Sequence, residues 1–155
     1  MKTPSTDPAA ARPALILDTN VVFDWLLFRN PECEPLGAWI QEGKGLWLVS
    51  VDMRDELAHV LGRGRLEKWR PQEAALWAGW ERWANQVDAP TAACLTTLLR
   101  CTDADDQKFV DLALASKARW LLSRDRAVLK LARRAHEQGL TIQTPGAWAA
   151  ANVTG

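Results

Sequence analysis

Asp18, Glu56, Asp106 and Asp125 are the residues through which this sequence could do chemistry. Asp18 ends a short apolar run, Ala14-Leu15-Ile16-Leu17, of the kind that forms a strand buried on both faces. Asp125 stands two residues beyond Ser123, which closes a second such run, Trp120-Leu121-Leu122-Ser123. Glu56 lies about one turn into the helical pattern that follows Leu46-Trp47-Leu48-Val49. Asp106 opens the helix that leads into Trp120. Open parallel sheets bind ligands beyond the carboxyl ends of their strands, the edge at which crossover helices begin. The four acids therefore converge on one rim.

Helix phase sharpens two of them. Asp106 stands with Phe109, Val110 and Ala113 at i+3, i+4 and i+7, so it projects from the inward face of its helix. Asp105 is rotated about 100° away. Glu56 flanks the stripe of Met53, Leu57 and Val60, at the margin between core and solvent. Carboxylates gathered this way repel, by about 4 kcal/mol for a pair roughly 4 Å apart at an effective dielectric of 20. Either some stay protonated or a divalent cation sits among them. Oxygen-only ligands, with no Cys/His cluster beside them, favour Mg²⁺ or Mn²⁺ over zinc. The usual work of such an ion is to activate water and stabilise the departing oxygen in phosphodiester hydrolysis.

The other candidates have plainer readings. Asp103 and Asp105 suit an N-cap and a helix dipole, and Asp24, Asp55 and Asp111 read as solvated surface charges. His59 and His136 are isolated. Cys33, Cys94 and Cys101 contain no C-x-x-C and read as small apolar residues.

Strands and helices alternate along the chain that positions these acids. Residues 1–13 are rich in Pro, Ala, Ser and Thr and read as a flexible tail, residues 14–148 as the folded domain, and 149–155 as a second tail. Helices are expected after Asp18, over 34–42, from Met53 to Leu61, and behind Pro71 through Leu76, Trp80, Trp83, Ala84 and Val87. A further helix runs from Asp105 to about Lys117, and a basic one spans 126–138. Leu140-Thr141-Ile142-Gln143 is a last strand, while 88–104 carries no clear period. The alternation predicts an α/β fold with a mostly parallel sheet of four to five strands and helices on both faces, because parallel strands need crossovers.

The whole is 155 residues with 48% hydrophobic and 25% charged residues, enough for one domain with a real core. Nineteen basic residues balance nineteen acidic ones, which counts against a generic nucleic-acid coat. With an odd cysteine count, no secretory apolar segment and no run long enough to span a bilayer, the composition points to a reduced, cytoplasmic, soluble protein with no membrane contact.

The ordered motifs carry a family resemblance. Leu15-Ile16-Leu17-Asp18-Thr19-Asn20, then Asp55-Glu56-Leu57 with Val60-Leu61, then Asp103-Ala104-Asp105-Asp106 with Lys108-Phe109 and Leu112-Ala113-Leu114-Ala115, resemble a PIN domain. So do Trp120-Leu121-Leu122-Ser123-Arg124-Asp125 and Ile142 with Thr144-Pro145. The match covers roughly residues 14–148 and looks most like the toxin branch of toxin–antitoxin pairs. It implies a three-layer α/β/α sandwich and a metal-dependent ribonuclease acting on single-stranded RNA, leaving 5′-phosphate and 3′-hydroxyl ends. It implies further that Asp18, Glu56, Asp106 and Asp125 hold Mg²⁺ or Mn²⁺ and position a hydrolytic water, with Asn20 and Ser123 supporting them. Ala104 stands where this branch often has Pro, and Arg124 where Gly is common.

The charges read differently by position than in sum. Lys117, Arg119, Arg124, Arg126, Lys130, Arg133 and Arg134 surround only Asp125, and Arg63, Arg65, Lys68 and Arg70 surround only Glu67. Beside a carboxylate site, Arg63, Arg65, Arg124 and Arg126 are candidate contacts for an RNA backbone. Trp77, Trp80 and Trp83 share one helix and suit either core packing or an interface with a second copy, making a homodimer, or with an antitoxin. Two rival functions remain open: a non-catalytic RNA- or protein-binding PIN module, and a phosphatase or receiver-type fold using an Asp nucleophile. The second needs an acidic pair at the first strand's end, where Asp18-Thr19-Asn20 stands instead.

Overall fold

A computed structural model describes residues 12–64, 67–91 and 99–153. Its centre is a five-stranded, all-parallel sheet: β1 Ala14–Leu17, β2 Leu46–Val49, β3 Ala84–Gln86, β4 Trp120–Leu122 and β5 Thr141–Gln143, in spatial order β3-β2-β1-β4-β5. The helices are α1 Thr19–Leu26, α2 Glu34–Gln41, α3 Val51–Leu61, α4 Arg70–Trp83, α5 Gln107–Ala115, α6 Arg126–Leu129, α7 Ala132–Glu137 and α8 Pro145–Asn152. The chain builds outward from β1 to β3, then crosses back to place β4 on the other side of β1. The strand order thus reverses between β1 and β4, and in sheets of this kind the crevice for a ligand opens at that point.

β1 and β4 are apolar throughout because both faces are covered, and Leu15, Ile16, Leu121 and Leu122 are inaccessible to solvent. Registered pairing puts Ala84, Trp47, Leu15, Trp120 and Thr141 in one row across the sheet, so their side chains share a face. Each of the nine tryptophans touches another aromatic ring. Trp47 meets Trp25 of α1 and Trp80 of α4 at centroid distances of 5.3 and 5.1 Å, and Trp83 and Trp77 extend the cluster. Trp120 meets Trp39 of α2 and Trp148 of α8 at 5.5 and 5.9 Å. Trp69 packs on Phe28. Most of these pairs are edge-to-face, the arrangement aromatic quadrupoles favour. Of Trp77, Trp80 and Trp83, Trp80 lies in the core and the other two are half-buried against it. Glycines make the indoles fit: a Cβ on Gly37 would lie 2.2 Å from Trp25 Nε1, and one on Gly45 2.1 Å from the Trp39 ring.

Three local expectations are corrected. The helix behind Pro71 ends at Trp83, and Ala84–Gln86 turn into an edge strand paired with Trp47–Val49. With Asn85 and Gln86 exposed, that strand has no apolar signature to read, and Val87 follows it rather than the helix. The basic helix of 126–138 is broken into α6 and α7 at Leu131, whose N–H donates to Val128 O at 3.0 Å, and Leu131 and Ala135 are buried. Asp24 is not a surface charge. Helix α1 packs against both α3 and α4, so Val21 to Leu26 are all buried and Asp24 is only 7% exposed. It is ion-paired with Arg124. Among the described residues no helix is long and apolar enough to cross a membrane.

Candidate metal centre

Asp18 is carried on the first residue after β1, where its backbone N–H still donates to Leu122 O of β4 at 3.0 Å. Its side chain faces the next loop of β4: Ser123 Oγ donates to Asp18 Oδ2 at 2.6 Å and accepts the Asp125 N–H at 2.9 Å. One fully buried hydroxyl thus sets the spacing of two carboxylates. Asp125 also caps α6, its Oδ1 accepting the Ala127 N–H at 2.8 Å. Asp106 enters from the opposite side, at the end of a 3-10 turn (Ala104–Asp106) that Asp103 caps through the Asp105 N–H. Gln107 ties this turn to the segment before it by donating to Leu99 O and accepting the Cys101 N–H.

These elements bring one carboxylate oxygen from each of Asp18, Asp106 and Asp125 to within 4.8 Å of one another. Asp18 is 3% and Asp106 8% exposed, and Asp125 is half-buried. Burial raises the pKa of Asp18 above its ordinary value, opposed by the bonds from Ser123 and the Thr19 N–H, with Asp125 and Glu56 raising it further. Asp106 is pushed up to about 8, first by burial, then by its hydrogen bond with Asp125 and by the charges of Asp18, Asp125 and Asp103. Asp106 Oδ2 and Asn20 Oδ1 are buried without a donor. Buried acceptors are ordinarily satisfied, so oxygens left bare beside crowded carboxylates fit a hard divalent cation.

Glu56 stands at the edge of this group. Its Oε1 is ion-paired with Lys108 Nζ and its Oε2 accepts the Thr19 hydroxyl. Sequence reading singled out neither Lys108 nor Thr19 for a role here. The partner of Lys108 lies 52 residues away, beyond any local pattern, whereas Thr19 sits inside the Asp18-Thr19-Asn20 motif. Arg124, a candidate RNA contact, has its guanidinium engaged by Asp24, while Arg63 and Arg126 are exposed; Arg65 lies outside the described residues. Asp55, His59 and His136 are exposed, and Asp111 is half-buried and accepts Gln107 Nε2 at 2.9 Å. Burial pushes the Cys33 thiol up to about 12 and raises Cys101 as well, which leaves both protonated and poor nucleophiles. Cys94 lies outside the described residues.

Comparison with known proteins agrees with this architecture. The family model described as PIN domain matches residues 14–127. No curated protein matches the sequence. Among solved structures, a chain from the crystal structure of VapBC2 from Rickettsia felis bound to a DNA fragment from their promoter superposes with a TM-score of 0.61. The two share 16% identity over 84% of this chain and 98% of that one, a likeness of fold.

Proposed function

Because this chain belongs to the PIN-domain family, we propose that it is a Mg²⁺- or Mn²⁺-dependent endoribonuclease that hydrolyses phosphodiester bonds in single-stranded RNA. The observation that carries this reading is the convergence of Asp18, Asp106 and Asp125, with a bare buried oxygen, at the point where the strand order reverses. Asp18, Asp106 and Asp125 would hold the cation, with Glu56 as the fourth acid of the rim. A divalent ion bound there would polarise the phosphate and lower the pKa of a water.

The chain's own residues do the rest by fixing positions. Ser123 holds Asp18 and Asp125 in register, and Thr19 and Lys108 hold Glu56. The bare amide oxygen of Asn20 offers an acceptor to a water or metal-bound ligand beside Asp18. Arg63, Arg65 and Arg126 would meet the RNA backbone, with Arg124 turned toward Asp24 rather than free. The neighbouring fold comes from the VapBC2 assembly, which supports a protein partner for this chain, and we take that partner to be a cognate antitoxin. On this reading the protein is a cytoplasmic toxin spanning 14–148, working as a homodimer.

The test is cleavage of single-stranded RNA by purified protein in Mn²⁺ and in EDTA. Wild type is expected to cut in Mn²⁺ alone, and Asp18→Asn and Asp106→Asn to lose at least about 100-fold. Variants that cleave like wild type would sink the mechanism. Binding of RNA that survives EDTA without any cleavage would favour the binding-module reading instead.

A further inference from the structure

Of the four acids at the rim, Glu56 alone is already neutralised by the protein. Lys108 pairs with its Oε1, Thr19 occupies its Oε2, and the same ammonium also donates to the Asp105 carbonyl oxygen. The Phe109 ring lies 5.1 Å from that ammonium, and the paired side chains are only 24% and 25% exposed. Three partners and limited solvent make the pair a fixed part of the site. The aspartates are in the opposite condition. Among the described residues no Lys or Arg pairs with Asp18, Asp106 or Asp125, and Asp106 Oδ2 is buried with no donor.

Resting on the divalent-cation reading above, we propose that Lys108 is a built-in counter-ion that keeps Glu56 out of direct cation binding, so that the site takes one divalent ion rather than two. The charges decide it. The three aspartates carry up to three negative charges and suit one divalent ion, while Glu56 and Lys108 sum to zero. A second ion drawing on Glu56 would compete with the donors that already hold each of its oxygens, Lys108 on Oε1 and Thr19 on Oε2. It would also approach the Lys108 ammonium, an approach that Coulomb repulsion opposes at short range. Lys108 is thus a positioning residue, setting how many ions the rim accepts.

The number of ions is read by titrating full-length protein with Mn²⁺ and counting free ion by electron paramagnetic resonance. Wild type is expected to bind one ion per chain, as is Lys108→Arg. Lys108→Met uncovers the Glu56 carboxylate and is expected to take a second ion, or to bind the first at least about tenfold more tightly. Replacing both charges, in Lys108→Met with Glu56→Gln, exchanges one neutral pair for another and should restore one ion at an affinity within about threefold of wild type. Two ions on wild type overturn the role of Lys108 and leave the cation reading standing. No Mn²⁺ on wild type overturns both. An unchanged Lys108→Met, or a double variant that loses more than about tenfold in affinity, shows that Glu56 is not held back by Lys108. Wild type and Lys108→Arg carry the count even if Lys108→Met does not fold.

Discussion

Replacing Asp106 by Asn should make the metal-free protein more stable while destroying its function. Asp106 has its pKa raised from 3.8 to about 8, with burial the largest cause. A carboxyl raised on folding costs nothing below its unfolded pKa. The cost grows as pH climbs from about 4 to about 8 and stays level above that. At pH 7 the gap from 3.8, at about 1.36 kcal/mol per pH unit, amounts to about 4 kcal/mol. Asn carries no charge to neutralise, and its amide can donate toward Asp125 where the protonated carboxyl would. In EDTA at pH 7, thermal unfolding of Asp106→Asn should therefore occur about 8–16 °C above wild type, since a domain of this size gains about 2–4 °C per kcal/mol. The difference should shrink steadily toward pH 4. Adding Mn²⁺ should raise the melting point of wild type and not of the variant. A variant that melts at or below wild type at pH 7, or an advantage that persists undiminished at pH 4, would refute the account of crowded, buried carboxylates.

Other perturbations test the supports of the site and the core. Ser123→Ala leaves Asp18 Oδ2 and the Asp125 N–H without their shared hydroxyl. It should cost about 1–3 kcal/mol in urea unfolding and lower RNA cleavage by about 10–100-fold. Arg124→Gln strips the partner from buried Asp24, and because Arg124 is itself half exposed the loss should be about 1–2 kcal/mol by denaturant midpoint. Gly37→Ala would drive a methyl into Trp25, so chemical denaturation should show a loss of about 1–3 kcal/mol.

The carboxylates on strand ends were legible because one short apolar run leads directly to each of Asp18 and Asp125. Asp106 was legible because helix phase fixes its direction. Four of the parallel strands followed from the alternation, but the fifth, the edge strand Ala84–Gln86, did not, since a three-residue strand with two exposed polar side chains has no period to detect. Asp24 was misread for the opposite reason. Its helix is buried on more than one side, and whether a helix keeps a solvent face is decided by α3 and α4, which local pattern cannot see. The Glu56–Lys108 and Asp24–Arg124 pairs span 52 and 100 residues and exist only once the sheet is assembled. The tryptophans were ambiguous for a related reason: helix spacing says that Trp77, Trp80 and Trp83 need a partner surface, and only the assembled fold says that Trp80 meets Trp47 of the sheet and Trp83 meets Trp25 of α1.

The hydroxyl of Ser123 joins residues 105 apart in the chain. β1 precedes its second neighbour in the chain, and β4 does not exist until residue 122 has been added. A growing polypeptide can pair β1 with β2, and β2 with β3, and still hold only part of the acidic cluster. A chain translated only as far as residue 124 lacks Asp125 outright. Closure of that long loop is a slow, non-local event. The sheet order thus ties the appearance of the complete cluster to the emergence of β4 and Asp125, so a chain translated only through β3 carries part of the sheet without its chemistry.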